Sequence, residues 1–285
     1  MSSREELTRR IEKLNRGPLL NSIPQNPNES GNNIRDTSGL PKRRHDCLVE
    51  QLLQRLTAEH SALPCCEIEI PACELEAQSG CLHRRFLSTV GSEGWQRAVS
   101  TLDRQSAEVV DPNRVVFLDI ETTGLADTPL FLIGLMESTH TGFVFRQYFA
   151  RHYGEEPHVI AAASRRLRDI RVLLTFNGRS FDVPYIRRRA AAAGVDFQEP
   201  EAHVDLLVEA RCRYRGEVPN CRLQTLEQAI CGRLREDDIP SYEIPSAYFE
   251  YVETGNTDRI VQVIKHNLYD LLTMADLVCR MWGRE

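Results

Sequence analysis

The stretch Val115-Val116-Phe117-Leu118-Asp119-Ile120-Glu121-Thr122-Thr123-Gly124, VVFLDIETTG, begins as an apolar strand and then sets two carboxylates two residues apart. Side chains alternate along a strand, so Asp119 and Glu121 share one face, about 7 Å apart along the axis at the usual rise per residue. An ionised carboxylate without a partner is among the costliest groups to bury. Something must compensate this pair, and two aligned carboxylates can hold a divalent cation.

Outward from that strand, VVFLDIET, FLIGLME and GFVFRQYFA read as three successive strands with short connections, an antiparallel meander. HVIAAASRRLRDI has the pattern of a helix, RVLLTFN of a fourth strand, and FDVPYIRRRAAAAG of a helix stopped by Gly194. HVDLLVEARCRYRG starts as a short strand at 203 to 206 and continues as helix. CRLQTLEQAICG, SAYFEYVETG and DRIVQVIKHNLYDLLTMADLVCRMW complete a helical C-terminal part. The predicted fold over 112–283 is therefore α/β, a mixed sheet in which a three-strand antiparallel meander joins parallel strands, flanked by helices.

Upstream, DCLVEQLLQRLTAEHSAL at 46–63 has helical spacing at Leu48, Leu52, Leu53 and Leu56. CEIEIPACELEAQSGCLHRRFL alternates like two strands around Gln78-Ser79-Gly80, so a helix plus hairpin extension and a linker are expected over 46–111. Residues 1–45 read as a tail. Its stretch 15–41 is rich in Asn, Pro, Gly and Ser and offers little to a core. Within it SREELTRRIEKL, 3 to 14, can form a short helix with a Ser3/Glu6 capping box, and its Leu7, Ile11 and Leu14 face suits a protein partner.

The 285 residues are 41% hydrophobic, enough for a real core. No apolar run approaches the ~20 residues that span a bilayer, and MSSREELTRR lacks a secretory signal's apolar stretch, so a cytoplasmic protein away from membranes is expected. Nine cysteines, an odd number, speak against a disulfide framework and for small buried thiols. Cys65, Cys66, Cys73, Cys81 and His83 lie close in sequence but lack the paired spacings of zinc modules, so no structural zinc is predicted there. The net charge of −6 argues against a uniformly basic surface for indiscriminate nucleic-acid binding. Lysine occurs only at 13, 42 and 265, leaving arginine as the main cation; this suits bidentate phosphate contacts, though compositional bias produces the same count.

Two further segments give the opening pair company. In LTFNGRSFD a strand runs into Asn177-Gly178, with Asp182 near the first turn of the next helix. In IKHNLYD, His266 and Asp270 are four residues apart and share a helix face. Singly, Asp182 reads as a helix-start acid and Asp270 as part of a solvated face. Together, D-I-E-T-T-G with Asp119 and Glu121, N-G-R-S-F-D with Asn177 and Asp182, and Asp270 resemble the three motifs of the DEDD (DnaQ-like) 3′–5′ exonuclease superfamily, whose fold is ribonuclease H-like. H-V-D-L-L, L-Q-T-L-E-Q and D-D-I-P-S-Y-E-I-P-S-A-Y ahead of the last motif resemble in particular the YprB-type ribonuclease H-like family. The likeness covers about 112 to 283, reaches more weakly into 66 to 87, and excludes residues 1–45.

The resemblance implies a metal-dependent 3′–5′ exonuclease acting on single-stranded DNA or RNA ends. Phosphodiester hydrolysis needs an activated water and a stabilised leaving oxygen, and two metal ions ~3.5–4 Å apart supply both. Oxygen ligands select Mg²⁺ or Mn²⁺, so Asp119, Glu121, Asp182 and Asp270 are the expected ligands of two such ions. The superfamily divides by its third motif into members with Tyr three intervening residues before the last Asp and members with His four before it. Here His266 takes the tyrosine-type spacing, with Asn267, Leu268 and Tyr269 between, and is the candidate to assist the attacking water.

Thr122, Thr123 and Gly124 are candidates to meet a terminal nucleotide, with Asn177 and Arg179 beside them. Asn177 reads equally as a cap of the Asp182 helix. Arg187-Arg188-Arg189 reads as phosphate contacts or as a solvated helix face. Asp205 reads as a supporting acid or as the N-cap of the following helix. A structure-selective endonuclease and a non-catalytic nucleic-acid-binding or scaffold domain are the rival functions.

Overall fold

The computed structural model describes residues 48, 52–54, 56, 65–76, 78–100, 109–235 and 238–283. The chain divides into two units, Met1–Pro41 and Lys42–Glu285, and the first, with the expected helix at 3–14, lies wholly outside the described residues.

The six strands are β1 (Cys66–Pro71), β2 (Val115–Thr122), β3 (Leu130–Ser138), β4 (Phe143–Phe149), β5 (Val172–Thr175) and β6 (Ala202–Asp205), in the order β1-β4-β3-β2-β5-β6. β2, β3 and β4 form the expected antiparallel meander, while β5 and β6 add in parallel on the other side of β2. Pairing of β2 with β5 covers only Val115–Phe117, so β2 overhangs its parallel neighbour from Leu118 onward. Asp119 and Glu121 stand on that overhang.

Seven helices of eight residues or more are described: α1 (Ser79–Val90), α2 (Glu93–Ser100), α3 (Glu156–Leu167), α4 (Asp182–Ala193), α5 (Leu206–Tyr214), α6 (Ile244–Thr254) and α7 (Asp258–Trp282). Gly194 ends α4 at φ 67°, a left-handed conformation that costs glycine nothing. α7 packs on β2 and β3 and against α1 and α5, which explains why its long apolar pattern buries most of its length. CRLQTLEQAICG forms one α-helical turn, Leu223–Leu226, then widens into a π-type turn over Glu227–Cys231 that turns Glu227 inward.

The expected hairpin around Gln78-Ser79-Gly80 does not form. Its first half is β1, whose Cys66, Ile68 and Ile70 face the core while it extends the sheet beside β4. Its second half is α1. The buried Ser79, Leu82, His83, Phe86, Thr89 and Val90 recur at helical spacing, with Phe86 packed between Phe117 and Phe143. Three of those inward positions are Ser, His and Thr, so the helical apolar signal is thin, while the Glu alternation before Pro71 has the period of a strand. The described residues of the 46–63 span are helical, with Leu48, Leu52 and Leu56 buried.

Of the cysteines, Cys65, Cys66, Cys231 and Cys279 are buried, whereas Cys73, Cys81 and Cys212 are exposed. Burial pushes the Cys65 thiol up to about 11, which keeps it protonated. His83 turns inward and bonds through Nε2 to the Ser138 hydroxyl at 3.0 Å.

Candidate active site

Where β2 overhangs β5, its backbone has lost a strand partner on that side. Asp182, the first residue of α4, lies beside this stretch, and the backbone groups of Ile120 and of Asp182 itself favour its charged form. Asp270 comes from the middle of α7, which lies over β2 and β3.

The electrostatics bind the four together. Burial, then the charges of Asp270, Glu121 and Asp182, hold the Asp119 carboxyl well above the ordinary carboxylate range. Burial, then Asp270 and Asp182, do the same to Glu121. Asp182 is pushed up to about 7, chiefly by burial, against the pull of those two backbone groups. The acids read from the sequence therefore form one electrostatic cluster at the overhang. It is not a finished coordination shell, because among the described residues no group of three or more His, Cys, Asp or Glu side chains is gathered tightly enough to hold a metal ion as it stands.

An amide to which the sequence assigned only a place between His266 and Asp270 organises this cluster. Asn267, fully buried on α7, donates through Nδ2 to Asp119 Oδ2 at 2.8 Å, and its amide favours the charged form of the nearby Glu121. Its Oδ1 accepts from Gln147 Nε2 at 2.8 Å. The approach is possible because the residue opposite Asp119 on β3 is Gly134, and a Cβ there would fall 1.8 Å from Asn267 Oδ1.

On the far side, Asp238 and Arg235 close around the end of the cluster. His266 Nδ1 bonds Asp238 Oδ1 at 2.8 Å, and its Nε2 lies 3.6 Å from Asp270 Oδ2. Burial opposes charge on this ring, but Asp270 and the bond to Asp238 outweigh it and lift the imidazole above its usual value. Arg235, its side chain 5% exposed, reaches Asp270 at 2.5 Å, Glu227 at 2.6 Å and Asp238 at 3.2 Å.

A family model described as the RNase_H superfamily matches residues 116–282, the span from β2 through α7 that carries every one of these groups. The chain belongs to the RNase_H superfamily. Over 240 residues it is 27% identical to the uncharacterized protein YprB of Bacillus subtilis (strain 168), a match covering 82% of this chain and 53% of that one. The chain thus spans about half the length of this curated relative. Similar solved structures include the family B DNA polymerase of the archaeon Pyrobaculum calidifontis, at 17% identity over 59% of this chain and 24% of that one with a TM-score of 0.47. The Aedes aegypti Nibbler EXO domain follows at 18% identity, 65% and 84% coverage and a TM-score of 0.38. An E. coli ExoI–ssDNA complex in its zinc-bound form follows at 18% identity, 53% and 42% coverage and a TM-score of 0.33. Superpositions at these scores carry no functional weight.

In this RNase_H superfamily chain the residues expected to meet a nucleotide are largely committed to building loops. Thr122 donates its hydroxyl to Gly124 O at 2.7 Å and Thr123 to Pro129 O at 3.1 Å. The buried Tyr185 of α4 fastens the same loop, its hydroxyl bonding Thr128 O at 2.7 Å and Gly124 O at 3.2 Å. Asn177 sits at φ 68°, and its backbone carbonyl, not its side chain, accepts from Ser180 and Phe181. Asp205 gathers three N–H groups, from Asn177 at 2.8 Å, Arg179 at 3.1 Å and Leu207 at 3.0 Å. It is both the N-cap of α5 and the anchor of the Asn177–Arg179 turn, so its part in the site is to hold the chain that leads into Asp182. The Arg179 guanidinium bonds the His203 carbonyl. The arginine run on α4 is held in ion pairs, Arg187 to Glu199 at 2.9 Å, Arg188 to Asp127 at 3.8 Å and Arg189 to Glu156 at 2.5 Å.

Proposed function

We propose that this chain is a metal-dependent nuclease that hydrolyses phosphodiester bonds at the 3′ ends of single-stranded DNA or RNA. The observation that carries the reading is the gathering of Asp119, Glu121 and Asp182 near Asp270 at the overhanging end of the central strand, with burial and mutual repulsion raising three of them. Such a cluster is costly on its own and is relieved by divalent cations. The donor chemistry fits Mg²⁺ or Mn²⁺: the set is all carboxylate oxygen, and Asn267 and Arg235 bond one named oxygen each on Asp119 and Asp270, leaving the second for a ligand. When bound, a pair of such ions supplies charge neutralisation and an acidified water.

The chain's own residues do the rest. Asp119, held by Asn267, presents its carboxylate from the strand, and Asp182 presents its own from the first residue of α4. His266 stands beside Asp270 with its ring braced, placed to take the proton of the attacking water. Thr122, Thr123 and Gly124 shape the adjoining loop, and the Arg179 guanidinium would exchange the His203 carbonyl to meet a strand terminus.

Single-stranded DNA and RNA, labelled at the 5′ or 3′ end and incubated with pure protein, test the reading. Loss of the 3′ label with Mg²⁺ or Mn²⁺, abolished by EDTA, is expected. Internal cuts that leave both end labels on long fragments would favour the endonuclease alternative. Intact substrates in every metal would leave the scaffold alternative, to which the Arg235–Asp270 pairing would then point.

His266→Ala should lower the rate by the ~10²–10⁴-fold typical of a positioned acid–base group while leaving Mn²⁺ affinity nearly unchanged. A loss under about threefold, well below that acid–base range, would demote His266 to packing.

A further inference from the structure

Between the π-type turn and α6 the chain returns to the site, and there it supplies two charged side chains, Arg235 and Asp238, to which the sequence analysis gave no role. Arg235 and Asp238 bond each other at 3.2 Å. Each then takes a different site residue: Arg235 holds Asp270 Oδ1 at 2.5 Å, and Asp238 Oδ1 holds His266 Nδ1 at 2.8 Å. With His266 Nε2 at 3.6 Å from Asp270 Oδ2, the four side chains close a ring.

The ring is itself anchored. Glu227, turned inward by the π-type turn, accepts from Arg235 Nε at 2.6 Å and from the Thr273 hydroxyl of α7 at 2.6 Å, and the Arg235 guanidinium lies 5.6 Å from the Tyr269 ring centre. Three carboxylates around one cation is more acid than stability alone requires, since an apolar substitute of the same volume often matches a buried ion pair. What the arrangement does add is orientation. A carboxylate at Nδ1 makes that nitrogen the donor and leaves the Nε2 lone pair directed at the Asp270 side. A single Nη2 bond to Oδ1 holds Asp270 so that its Oδ2 stays on the His266 side, 3.6 Å from Nε2.

We infer that Arg235 and Asp238 are positioning residues of the nuclease site, Asp238 setting the tautomer and ring plane of His266 and Arg235 setting the carboxylate plane of Asp270. The inference rests on the nuclease reading above and goes beyond it by assigning the brace. Asp238→Asn keeps the volume but lets either an amide N–H or an oxygen face the ring. Arg235→Lys keeps the charge but loses the fork that spans Asp270, Glu227 and Asp238.

The test has a readout that bulk packing would not move. In ¹⁵N-histidine spectra of metal-free protein at alkaline pH, where the ring is neutral, and with the His266 signals assigned by His266→Ala, wild type should show the Nδ1–H tautomer and Asp238→Asn a shift toward Nε2–H. The same variant should lose kcat by ~10–100-fold, the usual cost of removing a group that orients a metal-site residue, with KM within about twofold. Arg235→Lys should weaken Mn²⁺ binding, read from free Mn²⁺ by electron paramagnetic resonance, by about tenfold. If Asp238→Asn does not fold, Arg235→Lys and Asp238→Glu carry the same measurements. An unchanged tautomer in a folded Asp238 variant overturns the assignment, as does a shifted tautomer with kcat unchanged. Wild type that neither binds Mn²⁺ nor cuts would instead bring down the nuclease reading, and is told apart because no variant is needed to see it.

Discussion

Asp119→Asn is expected to remove hydrolysis, by about 10³-fold or more, and at the same time to raise the melting temperature of the metal-free protein. On the nuclease reading, the first effect follows from losing one of the carboxylates that would hold the ions, worth several kcal/mol of transition-state stabilisation at about 1.4 kcal/mol per tenfold. The second follows from the cluster's repulsion. Burial and then the charges of Asp270, Glu121 and Asp182 press on Asp119, and asparagine keeps its shape and its acceptor for Asn267 Nδ2 without the charge.

The pH dependence has a definite sign. A carboxyl whose folded pKa is raised binds protons more tightly in the folded state, so its contribution is fully present below the ordinary value near ~4 and is lost as pH rises through the folded value. For Asp182 that folded value is about 7. In EDTA, wild type should therefore melt lower at pH 8 than at pH 5, and Asp119→Asn should show a smaller drop. Saturating Mn²⁺ should flatten the wild-type curve, since a ligand that binds only the folded state stabilises it. Calorimetry at the two pH values reads all three. A variant melting below wild type in EDTA at pH 8, or one retaining turnover within tenfold, would break the link between repulsion and metal binding.

The contrast between the acids and their supports shows where sequence reading stops. Asp119 and Glu121 were legible because a strand's two-residue period puts them on one face, and His266 with Asp270 because a helix's period does the same. Both are local statements. Asn267 bonds Asp119 across 148 positions of sequence and Asp238 bonds His266 across 28, and neither contact has a period to betray it. α1 was misread for a related reason. Its inward face includes His83 and Thr89, whose burial depends on Ser138 and on the Arg85 carbonyl rather than on apolar character. Asp205 was readable as an N-cap but not as the anchor of the Asn177–Arg179 turn, which needs β5 and β6 side by side. One signal for the hidden support did exist. Gly134 interrupts FLIGLME, and a glycine inside an otherwise apolar strand marks a place where something approaches closely.

That glycine gives the largest stability effect expected in the molecule. In Gly134→Ala the new Cβ would lie 1.8 Å from Asn267 Oδ1, 2.8 Å from its Cγ and 3.1 Å from its Nδ2. Asn267 cannot swing to solvent, being fully buried, and α7 cannot lift locally because its flanks are packed on β2 and β3. The amide must therefore leave its partners. Gln147 would lose the nearer of its two acceptors, keeping only the Ile264 carbonyl at 3.3 Å, while its Oε1 already lacks a partner, and Asp119 would lose the N–H that tempers its charge. Overpacking and stranded buried polar groups each cost about 1–3 kcal/mol, so a sum of ~3–5 kcal/mol is expected. At roughly 2–4 °C per kcal/mol this is a drop of about 10 °C. Asn267→Ala should also destabilise, but it empties the space that the Gly134→Ala methyl needs. The double variant should accordingly be more stable than the two single losses add up to, a coupling of about 1–3 kcal/mol. Denaturant midpoints of the four proteins measure it. Strict additivity would mean that the close approach of Asn267 to β3 is not what holds Gly134 in place, and that Asp119 is positioned by the strand alone.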